Sequence, residues 1–310
     1  MLAFTPILLC LALGTPEFKV SEWAELERVV DGDTLYVQRA GKSAKLRLLC
    51  VDTEERFHPG QPSSAGKPQT VFGEQTALWA ESFFASLAQG GKPVRLGLCF
   101  PGGHEQRDAY GRTLCHVVLP DGRDYELELV RSGRSPYFNK YGDSQLAHAE
   151  FVAAQSAAQR EKLVIWNPET NAPKTPGVPA ARRPYARLLP WWDARAAALT
   201  DFHSRQAAHE RGLVDGADSE ALERLVGQEV ELFGEPQGAL REVRGGLEIT
   251  LSKRLHVFVP GKAHLVDLGR EYHQNFFYAR GKLERDGSDL QLSLEKPEQI
   301  RRAGPEPAPR

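Results

Sequence analysis

Five short stretches between residues 31 and 112 carry side chains suited to chemistry on phosphate esters: Asp31-Gly32-Asp33-Thr34, Arg47, Asp52-Thr53, Glu55, and Asp108 with Tyr110-Gly111-Arg112. Each is ordinary alone, because Asp and Gly are what turns use and a lone arginine at a strand end is normally solvated. Together they say more. A hairpin over this stretch returns Asp52 to the level of Asp33 on the adjacent strand, so that carboxylates converge. Two such groups repel unless a cation lies between them, and oxygen ligands without Cys or His suit calcium or magnesium rather than a transition metal. Phosphodiester hydrolysis needs charge neutralised on the non-bridging oxygens, an in-line water and a stabilised leaving oxygen. Arg47 and Arg112 are the guanidinium groups that grip such oxygens, and Glu55 is placed to orient or deprotonate the water.

These residues must be held by regular elements. Residues 29–37 and 45–51 read as strands with a turn at 39–42, and 94–100 and 112–119 as further strands. Ala80, Phe83, Phe84 and Leu87 recur at helical spacing within 73–89, where Gly90-Gly91 then supplies a stop. A second amphipathic helix is expected over 143–162 with Asp143 as its N-cap. Six prolines between residues 168 and 190 read as an extended linker. Beyond it, 191–211 and 219–226 read as connecting helices within 191–226, and five short strands with Gly-rich turns over 227–302 predict a small closed or half-open barrel. The proline- and charge-rich end, 303–310, reads as a disordered tail.

At 310 residues with 41% hydrophobic content, two modest globular domains are expected. The net charge of −2 excludes a global basic footprint, so any nucleic-acid site must be local. Residues 1–14 are apolar and end in Ala12-Leu13-Gly14, which predicts a signal peptide and a secreted or periplasmic protein, or one tethered by an uncleaved segment. Cys50, Cys99 and Cys115 follow no zinc spacing, and buried free thiols are the default expectation, with a Cys99–Cys115 bridge as the lesser alternative.

From about residue 29 to 166 the chain resembles the staphylococcal nuclease (thermonuclease) family. The resemblance is carried by Val-Val-Asp-Gly-Asp-Thr at 29–34, Arg-Leu-Leu-Cys-Val-Asp-Thr-Glu-Glu at 47–55, Asp-Ala-Tyr-Gly-Arg at 108–112 and Glu-Lys-Leu-Val-Ile-Trp at 161–166. It implies a mainly β fold with helices, an OB-like five-stranded nuclease barrel over residues 20–167. It also implies a Ca²⁺ held by Asp33, Asp52 and the Thr53 carbonyl, Glu55 as general base, Arg47 and Arg112 on the phosphate, and Asp31 one layer out. Tyr110 and Tyr141 would lie beside the nucleotide. Glu54 stands where the family has proline and adds negative charge to the metal rim, Ala109 where it has a basic residue, and the loop from 58 to 73 is longer.

Residues 227–302 are more loosely similar to an OB-fold, in which Tyr272, Phe276, Phe277 and Tyr278 with Lys253, Arg254 and Arg280 would grip single strands. The implied activity is calcium-dependent hydrolysis of DNA, RNA or both, with single strands preferred. The alternatives are a non-catalytic nucleic-acid-binding scaffold on a nuclease fold, or a surface-attachment protein whose second barrel binds protein or glycan.

Overall fold

A computed structural model describes residues 18–58, 60, 69–108, 110–170, 183, 185–238, 240–261 and 274–305. The expected signal segment, Cys10, Ala109, Tyr272, and most of the linker, the 58–73 loop and the tail lie outside the described residues. The chain divides into two compact units, one of residues 1–138 and 144–183, the other of 139–143 and 184–310.

The first unit is built from β1 (Glu22–Asp31), β2 (Thr34–Arg39), β3 (Lys42–Leu48), α1 (Val71–Leu87), β4 (Arg95–Cys99), β5 (Gln106–Arg107), β6 (Thr113–Val118), α2 (Tyr125–Arg131) and α3 (His148–Arg160). Its sheet runs β3-β2-β1-β4-β6-β5, and an added parallel pairing of β3 with β6 closes five of these strands into a barrel. Alternation explains the closure: Leu35 and Val37, Leu46 and Leu48, Leu96 and Leu98 point inward and are buried, while Tyr36, Arg47 and Gly97 between them lie on the other face. Helix α1 lays Phe72, Thr76, Ala80 and Phe84, spaced four apart, onto this barrel.

The structure differs from the sequence-based expectations in three places here. The single strand over 29–37 is two strands, because Gly32-Asp33 is a two-residue hairpin loop between paired Asp31 and Thr34. The helix over 143–162 starts at His148, since the Ser144 hydroxyl accepts from the N–H groups of Leu146 and Ala147 and makes a turn of that stretch. Helix α2 was not foreseen: it is seven residues long, too short for a clear periodicity, and is started by the Asp124 carboxylate accepting from the Leu127 N–H at 2.6 Å.

The second unit contains α4 (Tyr185–Ala207), β7 (Leu213–Asp215), α5 (Ser219–Arg224), β8 (Glu229–Gly234), β9 (Arg241–Val243), β10 (Gly246–Ser252), β11 (Leu255–Pro260), β12 (Phe277–Asp286), β13 (Asp289–Ser293) and β14 (Ile300–Arg302). Its strands β10-β11-β13-β12-β8, with β11 and β13 parallel, repeat the connectivity of the first barrel. The β8 to β10 edge carries no ladder and is bridged by the Gln237 N–H donating to the Thr250 carbonyl at 2.7 Å, so this barrel is half-open. Helix α4 begins before the expected residue 191 and runs through Pro190, the lost N–H being outweighed by burial of Tyr185, Trp192 and Phe202. Phe277 and Tyr278 are 0% and 1% exposed, and Tyr278 donates to Asp201 at 2.8 Å, so these aromatics are packing residues rather than an open stacking platform. Among the described residues Cys99 and Cys115 are buried and not bridged to each other, and no helix is long and apolar enough to cross a membrane.

Candidate active site

Strand alternation and one tight turn put the acidic residues of the first unit inside rather than outside. A Cβ on Gly32 would stand 2.6 Å from Thr53 Cγ2 and 2.7 Å from Thr76 Cγ2, so only glycine lets the β1–β2 turn lie against these threonines. The hydroxyl of fully buried Tyr125 donates to the Gly32 carbonyl at 3.2 Å and fixes the turn from below. Asp31, Asp33, Arg47, Asp52 and Thr53 are all buried as a result.

Asp33 accepts from the Thr53 N–H at 2.8 Å and from the Thr34 hydroxyl at 3.0 Å, and it pairs with Arg47. Arg47 also donates to Asp52 Oδ1 at 2.8 Å and to the Val51 carbonyl at 3.2 Å. The Asp52 N–H donates to Ser135 Oγ at 3.0 Å. The expected convergence of Asp33 and Asp52 is therefore real, and it runs through Arg47, which is clasped between two carboxylates instead of being presented to a ligand. Burial opposes the Arg47 charge, but those two carboxylates outweigh it and hold the guanidinium protonated.

Asp31 is the unbalanced member. Its Oδ1 has no hydrogen-bond partner, and burial, followed by the nearby charges of Asp33 and Glu55, holds its carboxyl well above the usual range. The oxygens assigned to a cation already face one: Arg183 donates to Asp52 Oδ2 at 2.8 Å, to the Asp52 carbonyl at 2.6 Å and to the Thr53 carbonyl at 3.3 Å. An all-oxygen donor set, an orphaned carboxylate oxygen and a cationic side chain drawn onto two carbonyls together fit a hard divalent ion. No sequence signal pointed to Arg183, which lies in the proline-rich stretch.

Glu55 sits half-buried at the rim, positioned by its backbone. Its carbonyl accepts from the Thr70 N–H at 3.1 Å, just before α1 begins, and Gly73 of α1 packs so closely that a Cβ there would fall 1.9 Å from that oxygen. Glu54, expected to add charge at the metal rim, is 1% exposed, accepts from the Thr70 hydroxyl, and takes the Arg183 N–H at 2.7 Å. These hydrogen bonds satisfy its oxygens, and they tie the Thr53–Glu55 segment to the N-cap of α1 in place of a proline's rigidity.

Arg112 closes the turn before β6. Its guanidinium donates to Asp108 at 2.6 Å and lies 5.5 Å from the ring centre of Tyr110, which is 86% exposed. Arg47 pairs with Leu114 across the β3–β6 ladder, so strand parity places Arg112, two residues earlier, on the Arg47 side. Burial of Asp108 is outweighed by the Arg112 N–H and guanidinium, which hold its carboxyl below the usual range. Tyr141 is exposed, with Lys140 Nζ 5.4 Å from its ring centre, and it groups with the second unit.

Residues 45–168 match a profile described as staphylococcal nuclease homologue. The chain is 32% identical over 157 residues to endonuclease YncB of Bacillus subtilis, covering 50% of this chain and 67% of that protein. It is 30% identical over 143 residues to the thermonuclease of Staphylococcus intermedius, covering 46% and 74% respectively. The chain belongs to the staphylococcal nuclease family. Membership rests on the first unit, since a 31% match to endonuclease YhcR of Bacillus subtilis spans 46% of this chain and only 11% of that much longer protein. Within the nuclease-family unit the profile begins inside β3, so the hairpin bearing Asp31 and Asp33 adds to the family match the half of the acidic cluster that lies before it.

Proposed function

We propose that the first unit is a calcium-dependent nuclease that hydrolyses phosphodiester bonds of DNA or RNA by attack of a water that Glu55 deprotonates. The observation that carries this reading is the convergence of Asp33, Asp52 and Arg47 on one buried cluster, with the Glu55 backbone fixed at its edge. Asp33, Asp52 and the Thr53 carbonyl would hold the ion, and Asp31 would add charge behind them. Ca²⁺ bound there would supply electrostatic stabilisation of the phosphate and of the attacking oxygen.

The chain's own residues then divide the work. Glu55 takes the proton of the nucleophile, which general-base geometry makes worth about 10²–10⁴-fold. Arg112, aligned by Asp108, contacts a non-bridging phosphate oxygen, and Tyr110 offers an exposed ring to a base or sugar. Arg47, held between Asp33 and Asp52, would serve the second non-bridging phosphate oxygen.

The deciding assay uses the full chain on single- and double-stranded DNA and on RNA, with calcium, magnesium or a chelator. Calcium-stimulated cleavage, fastest on single-stranded DNA and abolished by chelator, is the expected result. Cleavage undiminished in chelator would sink the metal reading, and intact substrates under every condition would leave a binding scaffold.

Arg183 gives a second test. Because it occupies the Asp52 and Thr53 oxygens, Arg183→Ala should raise the apparent calcium affinity on the order of tenfold in a calorimetric titration, the equivalent of about 1.4 kcal/mol. It should also lower the stability of the calcium-free protein, where Asp52 loses a buried partner. Unchanged affinity would mean that Arg183 and the ion do not compete.

A further inference from the structure

On the side of the first unit where β6 meets the start of α2, His116, Asp124 and Glu126 meet in the interior. Their potential ligand atoms all lie within 4.8 Å of one another, and the side chains are between 0% and 2% exposed. His116 Nδ1 is 3.6 Å from Asp124 Oδ2 and 3.6 Å from Glu126 Oε1. That is too long for a hydrogen bond but close to the edge of a tetrahedron of ligands at zinc bond lengths, about 3.4 Å. His116 Nδ1 and Asp124 Oδ2 have no hydrogen-bond partner. No Lys or Arg among the described residues forms an ion pair with either carboxylate.

Asp124 Oδ1, which does not face this point, caps α2 through the Leu127 N–H at 2.6 Å, and both Glu126 oxygens accept from the Val117 N–H at 3.1 Å, backbone contacts of the kind that orient metal ligands. Cys99, the cross-strand partner of His116, is also buried. Burial, against the backbone hydrogen bond from Leu127, pushes the Asp124 carboxyl up to about 7; burial and then the Asp124 charge hold Glu126 well above the usual range; burial lowers His116 to about 4. His116 Nδ1 and Asp124 Oδ2 are thus buried without a partner, a cost that a cation between them would offset.

We propose that His116, Asp124 and Glu126 bind a structural Zn²⁺ distinct from the catalytic cation. One imidazole with two carboxylates in a closed pocket suits zinc, whereas calcium asks for six to eight oxygens. The site has a task. Asp124 and Glu126 flank Tyr125, whose hydroxyl holds the Gly32 carbonyl of the acidic turn, so the ion would anchor the helix end that positions the active site.

Metal analysis of the purified full chain tests this. After dialysis against a calcium-selective chelator, about one zinc per chain should remain in the wild type and in Asp33→Asn, and be lost in His116→Gln. Re-adding zinc to protein stripped with a strong chelator should raise the thermal midpoint of the wild type but not of His116→Gln. If that variant does not fold, Glu126→Gln, which keeps the side chain's shape, is measured in its place. The assignment is overturned if stripped wild type neither retains nor binds zinc, if zinc persists in the His116 or Glu126 variant, or if it leaves with Asp33→Asn alone.

Discussion

Glu55→Gln should lower kcat on single-stranded DNA by roughly 10³-fold at saturating calcium while the protein remains folded and still binds the ion. The substitution keeps the shape of the side chain and removes its negative charge and its ability to accept a proton. Glu55 is half-buried and its placement comes from its backbone, through the carbonyl that accepts from Thr70, so stability should change by no more than about 0.5 kcal/mol. Single-turnover cleavage measured beside a calcium titration separates the two roles. Unchanged turnover would remove Glu55 as the base, and lost calcium binding would reassign it as a ligand.

Gly73→Ala carries the second large effect, and its direction is opposite to the usual one. In an exposed helix this change stabilises by up to about 1 kcal/mol. Here the new methyl would lie 1.9 Å from the Glu55 carbonyl oxygen, 2.4 Å from its carbon and 2.9 Å from the Glu54 carbonyl oxygen. All three are backbone atoms, so no side chain can swing aside. Either α1 lifts from the barrel or the Glu54–Glu55 segment shifts outward. Overpacking of this kind costs about 1–3 kcal/mol, and a displacement of about 1 Å at the general base costs on the order of 10² in rate. A thermal melt and kcat on the same preparation check both. A variant that is more stable and fully active would show that the contact between α1 and Glu55 is loose.

The acidic cluster was legible in the sequence because its geometry is local. Asp-Gly-Asp is a turn by residue chemistry, the alternation of Leu35 with Val37 and of Leu46 with Leu48 sets the faces of the flanking strands, and register then brings Asp33 and Arg47 together. The second barrel's strands were legible for the same reason, from period-two burial such as that of Leu255, Val257 and Val259. Its aromatics were legible in part: alternation sets Phe276 and Tyr278 on one face and Phe277 on the other, and Phe277 fills one core cluster while Phe276 and Tyr278 pack with the other, where an open stacking surface was the competing expectation. A hydrophobic ring reads the same whether it faces solvent or a neighbouring helix.

What the sequence by itself determined is the barrel and the list of groups available for chemistry, because turns, caps and alternation depend on residues a few positions apart. Tertiary structure decided which further charges join them. Arg183 reaches Asp52 across 131 residues, Glu54 turns inward to Thr70 and the Arg183 backbone, and His116 finds Glu126 only where β6 runs beneath α2. Coulomb and packing energies fall off with distance in space, and separation along the chain carries no information about that distance once the chain has folded back on itself.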